Sequence, residues 1–374
     1  MSKKKVLLII TGIMLFVIIG VVIIIHCVSS ATNVKKTDSR HLKEELADYQ
    51  FSSHENLIFD CKVQNTDIGE VYKYKLHDHT VDKAGEDEKQ KAYALWRSLV
   101  PDESIQPDYS QDSPYSWYVR TEKPFAYGAF YCGGTFGASS WFWETDAEIN
   151  DSTVYKRFRG CDDMSSESYC VGGEEYKITD AMKFCDDYID KNLKQYFNKD
   201  EQFKLINVFV IENEMFDKYT YALRYAHLID GVAIDDCDSS DLEREYTRGS
   251  YLEIIMAGKN KIYSIENRCY QGIFDEKEKL DELVPLSEAE RILSKELAPN
   301  KKYTVTECEL KYVCRTTANA KERYYKPMWS FTLEQYPNRS LDLKINLTAY
   351  VDAMSGEVFM FDMQTGQLSE LSTN

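Results

Sequence analysis

The stretch AYVDAMSGEVFMFD, residues 349–362, decides how the rest of the chain is read. Ser355-Gly356 is a turn signal between two β-rich runs, because glycine reaches positive φ without a Cβ penalty. Val358, Phe359, Met360 and Phe361 are apolar without a break, which predicts a strand covered on both faces. A hairpin alone would say little, but the chain carries a second version of it. IIMAGKNKIYSIE, residues 254–266, lies on YVDAMSGEVFMFD, residues 350–362, without a gap. Ala257 falls on Ala353, Asn260 on Gly356, Ile262 on Val358 and Ile265 on Phe361. Asn and Gly best tolerate the left-handed conformation, so the same turn is built twice.

Outward from the hairpins, the repeat spans about a hundred residues. Each half opens with a helix. In LSEAERILSKEL, Ser287 reads as N-cap with Glu290 completing a capping box, and in ITDAMKFCDDYIDKNL Thr179 is the N-cap. Ala289, Ile292, Leu293 and Leu297 form one apolar stripe, with Ala181, Phe184, Cys185 and Ile189 at the same offsets. Strands follow at 203–211 and 303–314, then at 219–228 and 327–336. The expected fold is α+β, with two α-β-β-β units of antiparallel sheet at residues 175–275 and 280–365 and a tail at 366–374. Residues 51–170 read as a β-rich aromatic domain, and the polar run 159–175 as the boundary behind it.

The N-terminus sets the expected location. Lys3, Lys4 and Lys5 precede residues 6–28, which hold no acid and no lysine. As a helix this run measures roughly 34 Å, enough to cross the hydrocarbon core. The pattern predicts a single-pass signal anchor with a cytoplasmic tail at 1–5, a span at 6–28 and a stalk at 29–50. Everything beyond would stand outside the cell membrane. Val28-Ser29-Ser30 offers a cleavage site under the alternative reading as a signal peptide. The formal charge of −17 excludes a nucleic-acid partner. The membrane, through the single span, and another membrane or wall protein are the partners expected.

Ten cysteines give no CxxC and no zinc-like spacing. Cys161 and Cys170 would close a short loop, whereas Cys185 sits on an apolar helix face where a reduced thiol belongs. His77-Asp78-His79 is the densest polar cluster, but it lacks a third ligand nearby, and a polar strand end accounts for it. There is no G-x-S-x-G motif. Residues 115–146 concentrate aromatics, among them Tyr115, Trp117, Phe130, Phe136, Trp141, Phe142 and Trp143. They read as sheet core or as a glycan- or peptide-binding platform. No catalytic, metal-binding or cofactor-binding residue is assigned, and no cofactor is expected.

Ser287-Glu288-Ala289, Trp329-Ser330-Phe331 and Val351-Asp352-Ala353-Met354-Ser355-Gly356-Glu357-Val358 resemble the helix start, the W-x-V strand and the closing hairpin of PepSY-type domains. The tandem arrangement behind a single span is similar to the YycH/YycI class of Gram-positive membrane proteins, which restrain a sensor histidine kinase, and implies a Gram-positive bacterium as the source. IDGVAI, residues 229–234, matches a strand of that class with Ala233 where proline is usual. The resemblance covers about residues 175–365 and supplies no catalytic residues. It implies a non-enzymatic, membrane-anchored, extracytoplasmic binding or regulatory protein acting on a sensor kinase or peptidase. A cell-wall ligand-binding module and a wall-active hydrolase are the alternative readings.

Overall fold

The computed structural model describes residues 34–77, 82–132, 134–140, 154–160, 162–197, 201–213, 218–235, 251–267, 274–316, 322–335, 345–362 and 368–370. Strands dominate. Among the described residues there are 22 of them, against four α-helices at Leu42–Ala47, Glu86–Leu99, Ile178–Tyr188 and Leu286–Glu296. The α+β expectation with a transmembrane helix is therefore corrected to a β-rich fold. The reason is that strands from the N-terminal third add to the later sheets and lengthen them, while the helices stay short.

No described helix is long and apolar enough to cross a membrane. The longest α-helix, Glu86–Leu99, has 14 residues. That is about 21 Å, against a hydrocarbon core of ~30 Å. The single-pass anchor, the cell-membrane localisation and the membrane partner are thus not supported by the fold, and residues 6–28, on which they rested, lie outside the described residues.

Two stretches share one build. The first has the helix Ile178–Tyr188 and antiparallel strands Glu201–Asn213, Lys218–Ile229, Tyr251–Gly258 and Lys261–Asn267. The second has the helix Leu286–Glu296 and strands Tyr303–Thr316, Arg323–Gln335, Ile345–Asp352 and Val358–Asp362. Each is a helix followed by four strands, where three were expected. A β-bulge interrupts the first strand at the same place in both, between Leu205 and Asn207 and between Val305 and Glu307. The Tyr221 hydroxyl donates to the Tyr176 carbonyl at 2.5 Å, and the Trp329 indole N–H donates to the Val284 carbonyl at 2.8 Å. Both carbonyls lie two residues before their helix. The hairpin turns place Asn260 at φ 56° and Gly356 at φ 82°. In the second turn, the Asp352 carboxylate accepts from the N–H groups of Met354 (2.7 Å) and Ser355 (3.1 Å).

The helices bury one stripe each: Ile178, Ala181, Cys185 and Ile189 in the first, Leu286, Ala289, Leu293 and Leu297 in the second. Neither has the expected cap. Lys177 and Pro285 occupy the N-cap positions without a side-chain bond, and Glu290 is buried and turned elsewhere.

The segment 51–170 adds strands to both halves of one continuous hydrogen-bonded sheet. Leu57–Phe59 runs parallel to Tyr303–Val305, and Tyr72–Leu76 pairs with Arg323–Tyr325 and with Phe274–Lys279. Asp108–Ser113, Ser116–Glu122, Phe125–Tyr131 and Phe136–Ser139 form a meander joined to the first half through Lys261–Asn267. The helix Glu86–Leu99 lies against this meander so closely that a Cβ on Gly128 would stand 2.5 Å from the Ala92 carbonyl. A core containing Trp96, Phe130 and Leu223 forms in the first half, and another containing Leu57, Tyr74, Trp329 and Phe331 in the second. The short strand Val232–Asp235 joins the halves, pairing with Leu228–Ile229 on one side and parallel to Lys311–Val313 on the other.

Candidate functional site

Where the first-unit helix runs out, the chain widens into a π-helical turn, Ile189–Leu193, and then a 3-10 turn, Lys194–Tyr196. Such widened turns are frequent at functional sites. Here a pocket of about 310 Å³ lies between the helix end and the first two strands. Asp186, Ile189, Asp190 and Lys194 line it from the helical side, and Glu201, Phe203 and Tyr225 from the strands.

Its electrostatics are acidic. Lys194 at the rim is paired with Asp190 at 3.4 Å, in an exposed contact. Burial holds the Asp186 carboxyl above the usual carboxylate range and the charges of Asp187 and Asp190 push the same way, while the Tyr225 hydroxyl opposes them. Tyr225 is 2% exposed, and among the described residues its buried hydroxyl makes no well-formed hydrogen bond, the Asp186 carboxyl being the group beside it. Burial is also the main reason its phenol is pushed far up, with Cys185 and Asp186 adding to it. Below them Glu201 meets His227, Oε2 to Nε2 at 3.0 Å, with both side chains almost wholly buried. The His227 ring is stacked on Phe203 at 5.1 Å, and Phe197 stands edge-on to it. Carboxylates beside aromatic faces favour a positively charged guest.

The corresponding place in the second unit is occupied by the chain itself. With Tyr221 on Trp329 and Leu205 on Val305, Asp186 corresponds to Ser294, Ile189 to Leu297, Phe203 to Tyr303 and Tyr225 to Leu333. Asn56 fills that groove. Its amide donates to the carbonyls of Ser294 (2.9 Å) and Leu297 (3.3 Å), and its Oδ1 accepts from the Ser294 hydroxyl at 2.9 Å. Its backbone carbonyl accepts from the Tyr303 N–H at 3.0 Å. One turn earlier the buried Glu290 accepts from the Tyr49 hydroxyl (2.5 Å) and the Ser52 N–H (3.0 Å), with His54 Nε2 at 3.3 Å. The residue expected to cap the helix thus holds the segment 49–54 onto it.

The other candidates fall apart from this site. His77 is held between Asp275 (2.9 Å) and Asp82 (3.3 Å), and those carboxylates raise its pKa. Both ring nitrogens are therefore engaged, and Asp78 and His79 lie outside the described residues. Among the described residues no group of three or more His, Cys, Asp or Glu is placed to hold a metal. In the aromatic block Phe130 and Phe136 are buried, Trp117 lies under the Lys89 ammonium at 5.3 Å, and Tyr115 is exposed. Trp141, Phe142 and Trp143 lie outside the described residues. Cys61, Cys132, Cys170, Cys185 and Cys308 are free thiols, the Cys314 sulfur accepts from the Arg323 guanidinium at 3.5 Å, and Cys161 lies outside the described residues. Cys185 points at the Met256 sulfur, 3.6 Å away, and burial pushes its thiol up.

Sequence reasoning did not single out Asp186, Phe203 or Tyr225. The signal was there in the repeat: Tyr225 stands where Leu333 is core, and Asp186 where Ser294 is neutral.

No family model matches the chain, and no curated protein matches it, so the resemblance to PepSY-type domains and to the YycH/YycI class gains no support from either. The chain is similar in fold to the crystal structure of an uncharacterized protein from Eubacterium rectale. The match has a TM-score of 0.54 and 12% sequence identity, and covers 86% of this chain and 98% of that one.

Proposed function

We propose that the protein is a non-enzymatic binding protein whose ligand site is the pocket at the end of the helix Ile178–Tyr188. The observation that carries this reading is the Tyr225 hydroxyl, buried at a cavity beside the Asp186 carboxyl and, among the described residues, without a well-formed hydrogen bond. Buried polar groups are nearly always satisfied, and a ligand that completes this one accounts for it. Binding is favoured over catalysis because the only acid–base pair at the pocket among the described residues has its histidine wholly buried. His227 sits against the Phe203 and Phe197 rings with Glu201 alone reaching the pocket, and Glu290 is fully buried against Tyr49. A regulatory role toward another protein is compatible with such a site. The glycan-platform reading has less to support it, since Phe130 and Phe136 face the core.

The test is methyl NMR of the full-length chain, following Ile189 while a panel of cationic, neutral and anionic fragments is titrated in. At least one charge class is expected to shift the Ile189 methyl, and Tyr225→Trp, which fills the pocket, to abolish that shift. Silence of Ile189 towards the whole panel would refute the reading.

A further inference from the structure

The two units are similar enough for the occupied groove of one to indicate what the open pocket of the other receives, and this inference rests on the binding role just proposed. In the second unit the chain does not stop at Asn56. Leu57–Phe59 continues as a strand parallel to Tyr303–Val305, and the Asp60 N–H donates to the Val305 carbonyl at 2.9 Å. A side chain in the groove and a short strand on the sheet edge are thus one device.

In the first unit both halves of that device stand open. The groove is the pocket beside Asp186 and Tyr225. Next to it, the outer edge of Gln202–Lys204 pairs with no strand among the described residues. Val154–Arg159, the neighbour on that side, pairs from Asn207 onward, and Gly160 behind it donates to the Ile206 carbonyl at 2.9 Å and packs against the Leu205 carbonyl, so the open edge ends at Lys204. The bulge shared between Leu205/Asn207 and Val305/Glu307 keeps the register, so the Phe203 N–H faces outward as the Tyr303 N–H does.

We propose that this edge and pocket together receive an extended segment of a partner protein, added parallel to Gln202–Lys204, with a lysine or arginine side chain in the place of Asn56. Backbone pairing supplies much of the affinity in such strand addition, and the side-chain pocket supplies selectivity. The chemistry of the two grooves sets the charge. Ser294 and backbone carbonyls hold a neutral amide in the second unit. In the first, the corresponding positions bring the Asp186 carboxylate and the Tyr225 hydroxyl, with Asp190 and Glu201 close by and the Phe203 ring as a wall. A protonated amine or guanidinium satisfies the hydroxyl and carboxylate together, whereas an acidic side chain would meet like charge. A second copy of this chain is a poor occupant, because two molecules of charge −17 repel.

The experiment is calorimetric titration of the full-length chain with capped peptides of the form acetyl-Ser-Val-Lys-Val-Thr-Val-Thr-amide. Companion peptides carry Arg, Gln or Glu at the lysine, or an N-methyl group on the second residue after it, whose N–H corresponds to that of Ile58. Butylamine serves as the free cation. The Lys and Arg peptides are expected to bind at least about tenfold more tightly than the Glu peptide, as for one charge-assisted hydrogen bond. N-methylation is expected to weaken the Lys peptide by about tenfold or more, as lost backbone pairing requires. Asp186→Asn and Tyr225→Phe should weaken the Lys peptide more than the Gln peptide.

Equal binding of the N-methylated and parent peptides, or of butylamine and the Lys peptide, would overturn strand addition. Equal binding of the Lys, Gln and Glu peptides would overturn the cationic side chain. Concentration-dependent dimerisation that the Lys peptide reverses would give the edge to a second copy and overturn the partner assignment. In each of these cases the pocket reading survives if the Ile189 methyl still responds to a probe. If it responds to none, both fail.

Discussion

Asp186 shows how one side chain ties stability to binding. Burial raises its pKa in the folded protein, so the folded state holds its proton more tightly than the unfolded chain does. The sign follows: the favourable contribution of protonated Asp186 is fully present below the unfolded value and is lost as pH rises through the folded one. At neutral pH the ionised carboxylate therefore works against the fold. Asp186→Asn is expected to raise the melting temperature at pH 7, with the gain shrinking to nothing below about pH 4. Thermal melts of both proteins across pH 3.5–8 check this. A variant no more stable than the parent at pH 7 would mean that the carboxylate is already compensated. A residue kept at a cost to stability is what a binding site would show.

At the scale of elements, the repeated helix-on-sheet packing depends on one aromatic donor per unit. Tyr221 and Trp329 occupy the same position on the second strand, and each reaches the carbonyl two residues before its helix. Tyr221→Phe and Trp329→Phe each leave a buried carbonyl without its donor, so each is expected to cost about 1–3 kcal/mol. Denaturant unfolding of the two variants checks it. A loss in only one would mean that the two bonds are equivalent in geometry but not in energy. The Glu290 capping box failed because Tyr49, Ser52 and His54 offered that carboxylate buried partners which an exposed helix end lacks.

At the scale of the molecule, the two halves meet at the turn Asp230-Gly231. Gly231 has φ +80°, and a Cβ there would lie 2.4 Å from the Asp67 carbonyl. The Asp230 carboxylate accepts from the Tyr74 hydroxyl at 2.8 Å and from Lys277 at 3.1 Å, while its carbonyl accepts from the Gly69 N–H at 3.1 Å. Strands from both halves therefore grip one turn. Gly231→Ala is expected to cost about 2–4 kcal/mol through strained backbone and the clash with Asp67. It should also separate the unfolding of the Trp96 and Trp329 cores, which are expected to melt together in the parent. Fluorescence of single-tryptophan variants reports each core. Coincident melting after the substitution would show that the halves are coupled elsewhere.

The sequence by itself determined the local periodicities and the duplication. The alternation and turn chemistry of residues 254–266 and 350–362 demand two similar hairpins, because Asn260 and Gly356 supply the same left-handed turn. The apolar stripes of Ile178–Ile189 and Leu286–Leu297 are local in the same way. Tertiary structure alone decided where the strands of residues 51–139 go, since pairing partners two hundred residues apart leave no local mark. Leu57–Phe59 on Tyr303–Val305 is such a pair. It also decided the site. Asp186 and Tyr225 are ordinary residues in their own segments, and they become a pocket only because a widened helical turn holds them apart while the same groove in the second unit is closed by Asn56.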